Sequence, residues 1–155
     1  MKARTTVLIL ALCFMVIGIS RAQESSFMGT WKLNEAKSKL APGAAKNSTV
    51  VYEAAGDSVK VTIDGTDAAG KPTHNEWTGK FDGKDYAVTG DPNSDMRSYE
   101  GRTKHKTGFT VKKNGKVTAT GTIILSNDGK SRTVLSSGTD AQGNKYRSTA
   151  VYDKQ

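Results

Sequence analysis

From about residue 48 to its end the chain alternates between apolar and polar positions. Val59, Val61 and Ile63 fall on one side of an extended strand and Lys60, Thr62 and Asp64 on the other; Val117, Ala119, Ile123 and Leu125 share one side further on. This period of two is what a half-buried β-strand imposes. Turn signals separate the runs: Gly56-Asp57, Asp82-Gly83, Asp91-Pro92, Asn114-Gly115 and Asp128-Gly129, with four-residue loops from Asp67 to Gly70 and from Asp140 to Gly143. Asn-Gly and Asp-Gly accept the positive φ of a type I′ hairpin turn, and a four-residue Asp…Gly loop suits a type I turn that ends in a left-handed glycine. The pattern predicts ten strands, at 26–33, 48–55, 58–66, 71–81, 84–89, 95–101, 107–113, 116–126, 130–138 and 144–153. One stretch reads as helix, Asn34 to Leu40, at most two turns long, with Asn34 as its cap and Ala41-Pro42-Gly43 as its stop. The expected fold is all-β: a single antiparallel up-and-down β-barrel of about ten strands, with at most one short helix after the first strand. A meander of this length removes exposed edges most simply by closing on itself. The echo between Gly65–Lys71 and Gly138–Lys145 reads as one hairpin chemistry used twice.

The first twenty-two residues do not share this pattern. Lys2 and Arg4 precede an uncharged run from Val7 to Ile19, and Ser20 and Ala22 supply the small residues of a secretory cleavage site. The run is shorter than the ~20 apolar residues of a spanning helix. Residues 1–22 are therefore expected to be a signal peptide cut after Ala22, leaving 23–155 as one secreted or periplasmic domain without a transmembrane segment. The whole chain has 155 residues and a formal net charge of +8, and loss of Lys2, Arg4 and Arg21 lowers that charge to +5. The single cysteine, Cys13, leaves with the leader, so the mature domain is expected to have neither disulfide nor thiol chemistry. Lipidation of Cys13 is disfavoured by the large Leu12 before it. Hydrophobic residues make up 35% of the chain with the leader included, so the mature core is lean. Either its interior is partly polar and wet, or Tyr, Trp and Val fill it alone.

Phe27-Met28-Gly29-Thr30-Trp31-Lys32-Leu33 resembles the opening strand of the calycins, the superfamily of lipocalins and intracellular fatty-acid-binding proteins, whose signature is Gly-x-Trp near the start of the first strand. Ser148 to Lys154 is similar to the closing strand of the fatty-acid-binding branch. The resemblance implies a lipocalin-like barrel, with Gly29 and Trp31 as its structural closure and room for one small ligand. In the fatty-acid-binding branch an Arg-x-Tyr pair in the closing strand holds the ligand carboxylate. Here Tyr152 matches but Ala150 stands at the arginine position, and Arg147, an odd number of residues away, faces the opposite side of the strand. That branch also inserts two helices where residues 34–47 have room for one short helix. The WKLN…AKSK…PG opening is similar to that of exported bacterial proteins of unassigned function, which implies a fold and no activity.

His74 and His105 are the only histidines, there is no Gly-x-Ser-x-Gly elbow, and no third ligand stands close to either histidine. Neither nucleophilic catalysis nor a zinc site is expected, so no catalytic residue, metal or cofactor is assigned and the chain is not expected to be an enzyme. Asp91-Pro92-Asn93-Ser94-Asp95 has the spacing that opens a calcium loop, but Met96 and Arg102 stand where its glycine and glutamate belong; it reads as a polar turn. Asn47-Ser48-Thr49 is a sequon whose use depends on the host. Arg97, Arg102, Lys104, Lys106, Lys112, Lys113 and Lys116 form a basic tract with His105, Tyr99 and Phe109 among them. On an outer face it would meet an anionic envelope or matrix surface, or keep strands from pairing between molecules. Nucleic acid, which cations and aromatics also suit, is disfavoured by export. Trp77, Tyr86, Tyr99, Tyr146 and Tyr152 each join an apolar body to a polar tip and are the candidate lining of an interior site. Two functions fit a monomeric domain of this kind. One is a non-catalytic carrier of a small, partly polar or aromatic ligand, and the other is an interaction protein whose basic exterior binds an anionic surface.

Overall fold

The computed structural model describes residues 26–42, 44–140 and 143–155. The expected leader with Cys13, Gly43 of the helix stop, and Ala141 and Gln142 of the last hairpin lie outside the described residues. Ten strands follow in order: β1 (Gly29–Leu33), β2 (Lys46–Ala55), β3 (Ser58–Thr66), β4 (Pro72–Gly79), β5 (Tyr86–Thr89), β6 (Met96–Glu100), β7 (Lys106–Lys113), β8 (Lys116–Leu125), β9 (Ser131–Thr139) and β10 (Lys145–Lys154). Each pairs antiparallel with the next and β1 pairs with β10, so the meander closes into a barrel. Among the described residues no helix is long and apolar enough to cross a membrane.

The turn chemistry acts as its residue types dictate. Asn114 and Gly115 both take positive φ, 50° and 74°, which the tight turn joining β7 to β8 requires. Asp67 Oδ1 accepts the backbone N–H groups of Ala69 and Lys71 at 2.9 Å, and Asp140 Oδ1 accepts that of Asn144 at 2.8 Å. The two Asp…Gly loops are thus held by the same side-chain mimicry of a backbone turn. The expected helix shrinks to one 3-10 turn, Glu35–Lys37, with the Asn34 side chain accepting from the Lys37 N–H at 3.1 Å. A longer helix would leave the edge of β10 uncovered, because β1 pairs with it over only three residues. Instead the chain returns to an extended path there: Lys39 and Thr149 exchange backbone hydrogen bonds of 2.7 and 2.8 Å, and the Ala41 N–H donates to Ser148 Oγ.

Side-chain size is graded along the barrel axis. At the end where β1 begins and β10 finishes, Phe27, Trp31, Val59, Trp77, Tyr99 and Tyr152 are buried together. Toward the other end the inward positions of β8, β9 and β10 carry Ala119, Gly121, Ser136, Gly138 and Ser148, with Tyr146 as the one large side chain among them, all only partly buried. Gly121 has a specific reason to be glycine, since a Cβ there would come within 2.4 Å of the Leu135 carbonyl oxygen and of the Phe109 ring. The ring sits close against bare backbone, as glycine inside a strand allows. Gly121→Ala is expected to lower stability by about 1–3 kcal/mol through overpacking, measured by urea unfolding. Thr120→Ala, exposed beside it, is expected to stay within about 0.5 kcal/mol of the parent; equal effects would show that the Phe109 ring moves aside freely.

Candidate functional site

Two arginines lie inside the barrel. Arg132 on β9 stands opposite Tyr152 on β10 and Leu125 on β8, faces inward with both, and is 2% exposed. Its guanidinium carbon lies 4.8 Å from the ring centre of Trp31, 5.0 Å from that of Tyr52 and 4.8 Å from that of Tyr152. These rings come from β1, β2 and β10 and form a cation–π cage. Arg97 on β6 is 7% exposed and stands opposite Tyr86 and Val111. Its backbone carbonyl accepts from Trp77 Nε1 at 2.9 Å, while its Nη2 donates over a long 3.4 Å to Asn75 Oδ1. Nη1 of Arg97, and Nε and Nη1 of Arg132, are buried without a hydrogen-bond partner. The ion pairs found among the described residues include neither arginine.

This arrangement is costly. Removing an ion from water costs several kcal/mol even after the protein relaxes. Each ring facing a desolvated cation returns about 2 kcal/mol, and a ring face does not satisfy an in-plane N–H. The tyrosines cannot supply the missing negative charge. Burial pushes the Tyr99 phenol far above its ordinary range, with the neighbouring Tyr52 reinforcing the effect and Arg97 and Arg132 opposing it. Burial likewise pushes Tyr152 up to about 12 against the pull of Arg132. Both phenols are therefore neutral at pH 7, and the Tyr99 hydroxyl is hydrogen-bonded to that of Tyr52.

Three of the five expected lining aromatics, Trp77, Tyr99 and Tyr152, are buried in the interior. Trp77 and Tyr99 meet edge to face at 4.8 Å and form the hub of a cluster that includes Phe81, Tyr86 and Phe109. Tyr86 is turned toward a loop, its hydroxyl donating to Asp82 at 3.0 Å. Tyr146 is partly buried over Gly138. Trp31 is sealed in, its Nε1 donating to the Phe27 carbonyl at 2.9 Å, and the Lys154 ammonium stands 5.2 Å from its ring and against Gly29.

The basic tract expected on an outer face breaks up. Arg97 is a correction: it points into the barrel because it lies two residues before Tyr99 and shares that inward face. The Arg102 guanidinium lies 4.9 Å over the Phe81 ring, and Lys112 is bonded to Asp85 at 2.6 Å. Lys104 and Lys106 precede the body of β7 whereas Lys113 and Lys116 flank its far end, roughly 23 Å away at a strand's rise per residue. His74 is exposed, with Nδ1 2.7 Å from Asp64. Both carboxylate oxygens of Asp91 are taken up by its own turn, accepting from the Asn93 N–H at 2.8 Å and the Ser94 hydroxyl at 2.6 Å. Arg132, Tyr52 and Asn75 are interior groups that reading along the sequence did not single out.

No protein-family model and no curated protein matches the chain. Among solved structures it is similar to a redesigned β-barrel, mFAP1, bound to DFHBI, with 15% identity and a TM-score of 0.44, over 86% of this chain and 99% of that one. It is also similar to a de novo designed fluorescence-activating β-barrel, with 14% identity and a TM-score of 0.44, over 86% and 98% of the two chains. At such values the barrel rests on the pairing of this chain's own strands, and the contents of those interiors carry no weight for this one.

The sealed phenols have a measurable consequence. A group whose folded pKa is raised contributes stability that is whole below its unfolded pKa, about 10 for tyrosine, and is lost as pH rises through the folded value. The barrel is expected to hold its stability up to about pH 10 and to lose it as pH climbs toward 12, where the unfolded chain releases protons that Tyr99 and Tyr152 retain. Tyrosinate absorbance followed alongside circular dichroism checks this. Five tyrosines ionising together near pH 10 in a barrel that stays folded would contradict it.

Proposed function

We propose that this is an exported, non-catalytic binding barrel that holds a small ligand in its interior, with a polar or charged group at the arginines and an aromatic or apolar body against the surrounding rings. The observation that carries this reading is the set of buried guanidinium N–H groups without partners inside the barrel. Buried polar groups in folded proteins are nearly always satisfied, and these donors point to a guest that satisfies them. Access is assigned to the end where Ala119, Gly121, Ser136, Gly138 and Ser148 line the wall, past the Phe109 ring over Gly121 and the Tyr146 ring over Gly138. The opposite end is closed by Phe27 and Trp31. Export rests on the leader-like character of residues 1–22. The anionic-surface reading has less support: its tract is divided between the two ends of β7, with one member inside and another paired with Asp85.

Native mass spectrometry of the protein purified from the cells that make it tests the reading directly. A stoichiometric mass excess that vanishes on denaturation is expected, and re-addition of the released molecule should change the fluorescence of Trp77 saturably. Saturation at one hundred times Kd should stabilise the fold by about 2.7 kcal/mol. Tyr152→Phe, which removes one hydroxyl beside Arg132, should weaken binding about tenfold, the worth of a hydrogen bond to a charged partner. A bare mass together with a flat fluorescence titration against the exported fraction would sink the proposal.

A further inference from the structure

The outer surface of β8, β9 and β10 has a cavity of its own. Arg132, Leu125 and Tyr152 point inward, so alternation turns Thr120, Thr122, Leu135, Ser137, Arg147 and Thr149 outward. Two shallow hollows of about 520 and 470 Å³ lie on that face. Both are lined by Thr120, Ser137 and Arg147. Thr120 stands opposite Ser137, and Ser137 opposite Arg147, so the hollows meet along one cross-strand row and form a single trough. It follows β9 from Thr139 to Leu135, roughly 13 Å at a strand's rise per residue. Hydroxyl side chains supply most of its outward groups, and the exposed Val117 and Leu135 supply apolar ones.

We propose that this trough binds a linear polyuronate, a polysaccharide that carries a carboxylate on each sugar. Its charge points to an acidic guest. Lys145 and Arg147 line it and no acid does. The ion pairs found among the described residues include neither cation. Asp140, the acid of the adjoining hairpin, accepts from Asn144 with both carboxylate oxygens. A guanidinium and a carboxylate share a planar arrangement with two parallel hydrogen bonds, and Lys145, two residues away on the same face, meets a second carboxylate. The hydroxyls point to a polyol. Each donates one hydrogen bond and accepts others, as sugar hydroxyls do. Hydroxyls outnumber cations along the trough, which matches a chain of sugars with charges at intervals better than a densely sulfated one. Leu135 offers the C–H face of a sugar an apolar contact.

Other occupants fit less well. A second copy related by a two-fold axis through the trough would set Arg147 against its own equivalent. A lipid surface calls for protruding side chains, not a hollow. Single-stranded nucleic acid uses aromatic platforms, and Tyr146, the aromatic residue lining the trough, shares the inward face of Tyr152. The trough is separate from the basic tract of β6 and β7, and it is independent of the interior guest proposed above.

Isothermal titration of the mature protein with alginate, a polyuronate, tests the proposal, with dextran, dextran sulfate and phosphatidylglycerol vesicles as the neutral, sulfated and lipid comparisons. Alginate is expected to bind saturably, more weakly as salt is raised, and dextran is expected not to bind. Arg147→Glu should weaken alginate about tenfold, the worth of hydrogen bonds between charged partners. Lys84→Glu and Lys104→Glu make the same change of charge at exposed positions outside the trough and should each leave affinity almost unchanged. Ser137→Tyr keeps the charge but fills the centre of the trough, and it too should weaken binding severalfold. Urea unfolding with an unchanged midpoint shows that the variants are folded. Equal losses at Arg147, Lys84 and Lys104 would mean attraction by net charge alone and would overturn the site. Dextran sulfate or vesicles binding more tightly than alginate would overturn the polyuronate, and so would no heat from alginate at all. The native mass of the protein, which tests the interior guest, is unaffected by each of these results.

Discussion

The barrel depends on one contact, the guanidinium of Arg132 among three aromatic rings. A meander becomes a barrel only when its first and last strands join, and here that seam is thin, three residue pairs between β1 and β10. Trp31, Tyr52 and Tyr152 belong to β1, β2 and β10 and therefore stand on both sides of the seam. Arg132 reaches all three from β9. A single side chain thus ties four adjacent strands across the short pairing that closes the barrel. The extended segment beyond the 3-10 turn completes the join, with Asn34, Lys39 and Ala41 all bonded to β10.

The same contact gives the interior its character. Burial at the closed end keeps the nearby phenols protonated against the pull of the Arg132 cation, because their alternative is not a free phenolate in water but a desolvated one. The centre of the barrel is consequently a field of hydrogen-bond donors: guanidinium edges and neutral hydroxyls, with Asn75 Oδ1 as a distant acceptor. The few apolar residues of a lean sequence are placed around this field and not in it. Val59, Val61 and Ile63 back it from β3 and Ile123 and Leu125 from β8.

The fold was legible because its signals are local. Asn114-Gly115 and the two Asp…Gly loops specify turns with two to five residues each, and alternation assigns faces between them; the observed strands agree with the expected ones to within a few residues. The helix expected over 34–40 gave way because the competing claim on that segment, the uncovered edge of β10, lies more than a hundred positions away. The interior was legible only in part for the same reason. Trp77, Tyr99 and Tyr152 declare themselves by type. Arg97 was misplaced by counting charges along the chain, although its two-residue step to Tyr99 set its face. Arg132 lies in a stretch, Ser131 to Gly138, where Val134 and Leu135 are adjacent and no alternation points inward. What makes it an interior residue is the pairing with Leu125 and Tyr152, and register across a closed sheet is invisible to any window along the sequence.

The placement of charge elsewhere sharpens the point. On the outside several acids are paired: Glu76 with Lys60 at 2.6 Å, Glu35 with Lys46 at 2.9 Å, Asp85 with Lys112 at 2.6 Å, and Asp57 with Lys80. Pairs of this kind add little to stability, since water already solvates both partners. Inside, where a counter-charge would matter most, neither arginine has an ion-pair partner among the described residues. A sequence shaped by stability alone would do the reverse at Arg97, replacing it with an apolar residue of similar volume, an exchange that often stabilises a fold. Clamping the seam accounts for the rings around Arg132 but not for its open donors, and Arg97 clamps nothing that its own backbone carbonyl does not already hold through Trp77. Two buried cations that no ion pair among the described residues neutralises are therefore the feature of this fold that stability leaves unexplained.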